Sequence, residues 1–281
     1  MHYSLHVGDR LLDLSTPAVM GILNITPDSF YAASRMQDDT AIAKRVHQIL
    51  DEGGSIIDVG AYSSRPGALD VPEEEEMERL RHALHIIRSE APDAVISIDT
   101  FRSHVAKMCV EECGAHIIND ISGGAMDKNM FRTVAKLHVP YILMHMQGTP
   151  STMQVAPHYE NLEQDIFREL SEKVDRLRTL GVNDIILDPG FGFGKTLAHN
   201  YELMACLEDF AEFGLPLLVG ISRKSMIYKL LGGTPADALG GTIALHMVAL
   251  MKGAHILRVH DVKAAVETVR IHCALQQPET L

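Results

Sequence analysis

The sequence has 281 residues, of which 46% are hydrophobic and 22% are charged, and this composition is enough for one globular core. The formal net charge of −12 argues against a nucleic-acid partner, although local arginines and lysines can still bind a small anion. No apolar run approaches the roughly 20 residues that span a bilayer, and the N-terminus is unlike a signal peptide, so we expect a cytoplasmic protein with no membrane partner.

The four cysteines do not form a metal site that the sequence can complete. Cys109 and Cys113 stand four positions apart on a predicted helix, a spacing that in principle suits a metal ion. No other cysteine or histidine follows at a ligand spacing. We therefore interpret these two residues, together with Cys206 and Cys273, as free, reduced thiols.

In chain order, the pattern begins with a hairpin over residues 3–14 that turns at Gly8-Asp9. Eight apolar runs follow, each with a helical pattern or a helical loop after it. The predicted strands are 18–23, 55–59, 94–98, 116–118, 141–144, 185–187, 215–221 and 254–257. Continuous apolar runs are typical of parallel strands covered on both faces, so we predict a TIM (β/α)8 barrel with an N-terminal β-hairpin. No linker divides the chain, and we predict a single domain over residues 1–281.

The stretch 183–195 shows how one of these strands ends. Its apolar run stops at Asp188 and Pro189, and a glycine-rich loop, 190–194, follows before Lys195. The spacing of the glycines matches neither a Rossmann fingerprint nor a Walker loop. A strand that carries a carboxylate at its carboxyl end and then breaks into a loop is the unit from which a TIM barrel builds its active site.

Polar residues stand just after most of the predicted strands. They are Asn24, Ser64, Arg65, Asp99, Asn119, Asp188, Lys224, Arg258 and His260. Each one alone has an ordinary explanation, such as a helix cap, a turn residue or a surface ion pair. A barrel brings all of its carboxyl strand ends to one face, however, and stability alone requires no polar groups there. The recurrence therefore predicts a shared site.

These residue types suit a flat polar heterocycle that carries a diphosphate. Asp99, Asp188 and Asn119 can pair with a ring edge that has several N–H groups, and Lys224 can donate to a ring nitrogen or carbonyl. The cationic groups suited to phosphate are Arg65, Arg258 and His260. Asn24 is a neutral oxygen ligand that could help to hold Mg²⁺. Met144 is a possible apolar wall for the ring, and His145 has either a site role or a structural role.

Eight stretches, in order across nearly the whole chain, resemble the dihydropteroate synthase family, folate-pathway enzymes that sulfonamides inhibit. They are GILNITPDSF (21–30), SSRPG (63–67), SIDT (97–100), INDISGG (118–124), MHMQG (144–148), LDPGFGFGK (187–195), GISRKS (220–225) and RVHDV (258–262). The resemblance implies that 6-hydroxymethyl-7,8-dihydropterin diphosphate and 4-aminobenzoate give 7,8-dihydropteroate and diphosphate through a dissociative pterin cation. It also suggests a homodimer.

The resemblance implies a role for each site residue. Asp99, Asp188 and Lys224 would be catalytic, and with Asn119 they would hold the pterin. The diphosphate, and through it Mg²⁺, would be held by Asn24, Arg65, Arg258 and His260. The 4-aminobenzoate would be framed by Phe30, Ser64, Pro66, Lys224 and Ser225. Further substrate contacts would come from Ile121, Met144, Phe193 and Gly220.

Three positions depart from the family pattern, and two alternative functions stay open. The family usually has an acid at the position of Ala32 and a glutamate at that of Tyr62, and it often has threonine at that of Ser64. A non-catalytic pterin-binding protein is one alternative, which Ala32 slightly favours. The other is a pterin-binding methyltransferase barrel, which has no use for the Ser64-Arg65-Pro66 and Ser222-Arg223-Lys224-Ser225 stretches as an anion and arylamine site.

Overall fold

Eight parallel strands form the centre of the molecule in the computed structural model, which describes residues 2–25, 35–62, 70–153 and 155–278. A two-stranded hairpin, β1 and β2, precedes them. The strands are β1 Ser4–Val7, β2 Arg10–Asp13, β3 Ala18–Asn24, β4 Ile56–Gly60, β5 Ile96–Asp99, β6 Ile117–Asp120, β7 Tyr141–Met144, β8 Ile185–Asp188, β9 Leu218–Val219 and β10 Ile256–Val259. The prediction of a barrel with an N-terminal hairpin is confirmed.

Helices follow the barrel strands and cover the outside of the sheet. They are α1 Arg35–Asp51, α2 Glu73–Glu90, α3 Ser103–Glu111, α4 Met130–Leu137, α5 Leu162–Thr179, α6 Leu197–Ala205, α7 Ser225–Leu231, α8 Leu239–Met251 and α9 Val262–Gln276, with 3₁₀ turns at Leu207–Phe213 and Pro235–Ala238. In the described part of the chain, none of the helices has both the length and the apolar character needed to cross a bilayer.

The strand order almost closes the barrel. Hydrogen-bonded neighbours run β8-β7-β6-β5-β4-β3-β10-β9, and every pairing is parallel. An isolated parallel bridge between Leu187 and Leu217 then joins the two ends, with the Leu187 N–H donating to Pro216 O at 2.9 Å. The carboxyl ends of all eight strands therefore meet on one face.

Alternation along the strands separates two apolar cores. The outward residues pack against the helices and form the larger core, for which Ile57, Leu143 and Leu187 are typical. The inward residues of the lower barrel form a second core, and Leu5 and Val7 of the hairpin pack into it from below. Its barrel members include Met20, Ile56, Ile117, Ile142, Ile186, Leu218 and Ile256. The hairpin thus closes the amino-terminal end, and the opposite end is left for polar groups.

Candidate active site

The next inward-facing layer of the barrel is polar. Side chains alternate along a strand, so the residue two positions beyond each inner isoleucine also points inward. On β4, β6, β8 and β10 this step replaces an isoleucine with a polar or charged residue, and β5 adds one more at its end. We call the resulting set the polar layer: Asp58, Asp99, Asn119, Asp188 and Arg258.

Arg258 connects three strands of this layer. Its Nε donates to Asp58 Oδ2 at 2.6 Å, and its second terminal nitrogen donates to Asp99 Oδ2 at 2.7 Å. Burial alone would lower the pKa of Arg258, but the two carboxylates outweigh burial and raise it above its ordinary value. The guanidinium is therefore permanently charged and fixed in direction.

Asp58 is the centre of the layer, with a fully buried side chain. It also accepts from Asn119 Nδ2, at 3.2 Å to Oδ2 and 3.4 Å to Oδ1. The sequence-based site did not include Asp58, because it lies in the middle of a strand and not at its end. The sequence did contain a signal for Asp58, which is a single acid inside the apolar run of β4. A buried carboxylate needs a polar partner, and in a barrel the inner face of the strand can provide one.

Asp99 holds its proton more tightly than an ordinary aspartate. Burial raises the pKa of its carboxyl to about 7, Arg258 opposes the increase, and Asp58 adds to it. About a fifth of the side chain is exposed, in contrast to Asp58. Asp99 can therefore reach a ligand in the barrel mouth and change its protonation near neutral pH.

Asp188 and Lys224 are a second set of opposite charges in the site, and each shifts the pKa of the other. Burial raises the pKa of Asp188, and Lys224 opposes this shift. Burial also lowers the pKa of Lys224 to about 8, while Asp188 favours its charged form. One Asp188 oxygen already accepts from the Gly190 N–H at 2.8 Å. Lys224 Nζ donates to Phe191 O at 2.5 Å and lies 4.7 Å from the centre of the Phe193 ring.

An apolar wall stands beside these charges. Its buried members are Phe101, Ile121, Met144, Met146 and Met153, with Tyr62 and Phe193 packed against them. Gly220 separates two cations of the site, because a Cβ at this position would lie 3.9 Å from both Lys224 Nζ and Arg258 Cβ. Of the four residues predicted to contact substrate here, Gly220 lies beside Arg258 and Met144 is opposite Asp188 in the β7–β8 register. Phe193 faces Lys224, and Ile121 belongs to the apolar wall.

His260, Ser225 and Asn24 lie at the rim. The His260 N–H and Nδ1 lie 3.1 and 3.2 Å from Ser222 Oγ, and Arg45 donates to the His260 carbonyl at 2.7 Å. Ser225 is the first residue of α7, directly after Lys224. Asn24 ends β3 and is exposed. Four other predicted site residues, Phe30, Ser64, Arg65 and Pro66, lie outside the described residues, as does Ala32.

The described part of the rim suits an ion such as Mg²⁺ that takes one ligand from the protein and the others from water and substrate. Asn24 offers one neutral amide oxygen in an exposed position at the end of β3. Such a donor suits an ion that takes most of its ligands from water and from a substrate diphosphate, which is how proteins usually hold Mg²⁺.

The comparisons with known proteins agree on one family. A family model described as "Pterin binding enzyme" matches residues 20–260. The dihydropteroate synthase of Escherichia coli (strain K12) is 45% identical over 262 residues, which is 92% of each chain. A crystal structure of the Yersinia pestis dihydropteroate synthase in a sulfonamide drug complex has a TM-score of 0.88 and 41% identity, with coverage of 98% of this chain and 100% of that one. The Xanthomonas albilineans dihydropteroate synthase with 4-aminobenzoic acid has a TM-score of 0.89 and 36% identity, with coverage of 98% and 99%.

Proposed function

The chain belongs to the dihydropteroate synthase family, and we propose that it condenses 6-hydroxymethyl-7,8-dihydropterin diphosphate with 4-aminobenzoate to give 7,8-dihydropteroate and diphosphate. The observation that carries this proposal is the polar layer, in which Arg258 joins Asp58 to Asp99 at one end of an otherwise apolar barrel interior. Buried charges of this kind are costly for stability, so their concentration at the barrel mouth supports a ligand-binding role.

In the proposed complex, the pterin ring lies between the apolar wall and the acids of the polar layer. Asp99, Asp188 and Asn119 pair with the ring N–H groups and amino group, and Lys224 donates to a ring nitrogen or carbonyl. Met144 is 2% exposed and Ile121 is 6% exposed, so the ring would enter a largely water-free space. Low local dielectric strengthens each of these hydrogen bonds.

The proposed reaction passes through a cation. The bond between the pterin methylene carbon and the diphosphate oxygen breaks first, and the electron pair leaves with the diphosphate. Ionised Asp99 and Asp188 stabilise the positive charge that develops on the pterin. The amine nitrogen of 4-aminobenzoate then forms the new C–N bond to the methylene carbon and loses a proton.

The leaving group requires positive charge at the rim. Arg258 supplies it from the polar layer, together with Arg65, which lies outside the described residues, and the His260 imidazole would add a hydrogen-bond partner at the rim. When bound, Mg²⁺ neutralises part of the diphosphate charge, and Asn24 is the residue that would help to hold it. Lys224 and Ser225 form the described side of the proposed 4-aminobenzoate pocket, to which Phe30, Ser64 and Pro66 would add.

We also propose that the chain is a homodimer. Six large apolar side chains are exposed on three consecutive helices, and we call them the α7–α9 patch: Leu230, Leu231, Ile243, Met251, Ile271 and Leu275. Apolar patches rimmed by polar residues mark interaction sites in soluble proteins. A second copy of the chain would cover the same patch on both subunits.

The proposal treats residues 1–281 as one domain in a reducing compartment such as the cytoplasm. The barrel uses the chain from β3 to β10, the hairpin packs beneath it, and α9 packs against β3 and α8. The four cysteines are all free, which suits a reducing compartment.

The test is an assay with two omission controls, one for each substrate. The protein is incubated with the pterin diphosphate, 4-aminobenzoate and Mg²⁺, and both diphosphate and 7,8-dihydropteroate are measured. We expect equal amounts of the two products, and no 7,8-dihydropteroate when either substrate is left out. Pterin binding without any product would support the non-catalytic alternative and overturn the proposal.

A further inference from the structure

Lys195 is a buried lysine that the proposed reaction does not use. It directly follows the glycine-rich loop, and only 3% of it is exposed. Its Nζ lies 3.0 Å from His145 Nδ1, 3.0 Å from Gly190 O and 3.1 Å from Phe193 O. An ammonium group has three N–H donors, so these three acceptors use all of them.

The two carbonyls belong to the loop that forms one side of the site. Gly190 accepts from Lys195 through its oxygen and donates to Asp188 through its N–H, so one residue links both side chains. Farther along, the Phe191 carbonyl accepts from Lys224, and the Phe193 ring faces the same amine. An interaction that holds the position of this loop therefore also holds the side chains of Asp188 and Lys224 in place.

The loop is packed too closely for any residue but glycine at its first position. Gly190 has a φ of +72°, and a Cβ there would lie 1.9 Å from the His145 carbonyl oxygen. This close approach brings the loop after β8 against the loop after β7. Lys195 joins the two loops through His145 on one side and two carbonyls on the other, and the Tyr159 hydroxyl adds a second link by donating to the Gly194 carbonyl at 2.8 Å.

His145 supplies a firm anchor for that bond. Burial, and after it the charge of Lys195, lower the pKa of His145 to about 4, so the ring is neutral at physiological pH. A neutral ring that accepts at Nδ1 has its proton on Nε2, which lies 3.4 Å from Glu169 Oε2. Glu169 in turn accepts from Lys173 at 2.6 Å within α5. The chain of contacts connects Lys195 to the helical layer.

We propose that Lys195 is a positioning residue for the pterin pocket, because its ammonium group locks the glycine-rich loop to the β7 loop and so holds Asp188, Lys224 and Phe193 in the arrangement that receives the ring. This inference rests on the proposed function for the identity of the ligand. Burial lowers the pKa of Lys195 to about 7, and the Asp188 carboxylate opposes this shift by favouring the charged form of the lysine.

The test compares Lys195→Met with Lys252→Met. Methionine keeps the length of the side chain but removes its donors. Lys252 is a matched control, since its Nζ also bonds a carbonyl and a carboxylate, those of Ala205 and Glu208, away from the strand-end residues. Calorimetry with the pterin diphosphate alone gives Kd for each folded variant, and hydrogen exchange reports on the amides of residues 190–194.

We expect Lys195→Met to bind the pterin diphosphate at least about tenfold more weakly and to exchange the 190–194 amides faster, with Lys252→Met unchanged in both. A residue that served only the stability of the fold would lower the melting temperature without changing Kd of the folded fraction, and that result would overturn the inference. If the wild-type protein binds the ligand but forms no product, the proposed function fails while this test remains valid.

A second variant covers the case in which Lys195→Met does not fold. His145→Phe keeps a ring of similar size and removes the Nδ1 acceptor, so Lys195 retains only its two carbonyl partners. For His145→Phe we expect a smaller loss of pterin affinity than for Lys195→Met, and faster amide exchange at residues 190–194 than in the wild type. Unchanged affinity together with unchanged exchange would contradict the proposed role of Lys195.

Discussion

Arg258 and Asp58 form an ion pair across the inside of the barrel, with Nε and Oδ2 2.6 Å apart although 200 positions separate the two residues. The pair sets the direction of the guanidinium before any ligand arrives, because Asp58 is fully buried and Arg258 is the charged partner that it contacts among the described residues. A terminal nitrogen of Arg258 donates to Asp99 at 2.7 Å, and in the proposed complex the diphosphate lies near this guanidinium.

Loss of this pair should reduce both stability and activity. Asp58→Asn keeps the shape of the side chain but removes its charge, so we expect the free energy of unfolding to fall by about 2–4 kcal/mol and turnover to fall with it. Urea denaturation measures the first effect. Asp261→Asn is the control, because Asp261 pairs with Arg223 at 2.7 and 2.8 Å in a more exposed place. For Asp261→Asn we expect the free energy of unfolding to fall by less than about 1 kcal/mol. Equal decreases in the two variants would contradict the account.

The raised pKa of Asp99 predicts a pH dependence of stability. The folded protein holds this proton up to about pH 7, whereas the unfolded chain releases it near pH 4. The contribution of Asp99 to stability is therefore complete below about pH 4 and is lost as the pH rises through 7. Asp99→Asn should remove that part of the decline, as urea denaturation at pH 5.5 and 8 would measure. An identical decline in the wild type and the variant would show that Asp99 does not titrate in this range.

Lys224 should be required for turnover but not for folding. Lys224→Ala removes the amine that lies between the Phe191 carbonyl and the Phe193 ring, so we expect kcat/KM to fall by at least about 100-fold. The exposed Lys229 stands five positions later on α7, and Lys229→Ala should keep full activity. Circular dichroism should give the same spectrum for both variants. Full activity in the folded Lys224→Ala variant would contradict a role for Lys224 in turnover.

The α7–α9 patch should control the oligomeric state. Ile271→Glu places a charge on the part of this patch that α9 carries, and desolvating that charge in an interface costs more than leaving it in water. We expect sedimentation equilibrium to give two chains for the wild type and one for the variant. Leu11→Glu, on the equally exposed hairpin, should stay a dimer. A dimeric Ile271→Glu protein would place the interface elsewhere.

The strands could be predicted from the sequence because continuous apolar runs and abrupt polar ends mark parallel strands. The fifth predicted barrel strand, 141–144, agrees with β7 at both ends. The seventh was predicted over 215–221, but β9 is only Leu218–Val219. Pro216 lacks an N–H for the ladder, and Leu217 meets β8 only at the closing bridge to Leu187.

The sequence predicted only part of the site, because the prediction used the residues at strand ends and did not consider which face of a strand each residue occupies. Asn119 and Asp120 are adjacent, yet Asn119 points inward to Asp58 while Asp120 accepts from Tyr141 at 2.7 Å in the outer layer. The same alternation reveals Asp58, which a search of strand ends omits. Lys195 could not be assigned from its motif, because its three partners depend on how two loops pack.

The central claim is that the polar layer receives the pterin ring, and a crystal structure of the protein with the pterin diphosphate tests it most directly. The account predicts a ring hydrogen-bonded to Asp99, Asn119, Asp188 and Lys224, with the diphosphate toward Arg258 and His260. A ring bound outside the barrel mouth, or one bound there without contact to either carboxylate, would contradict it.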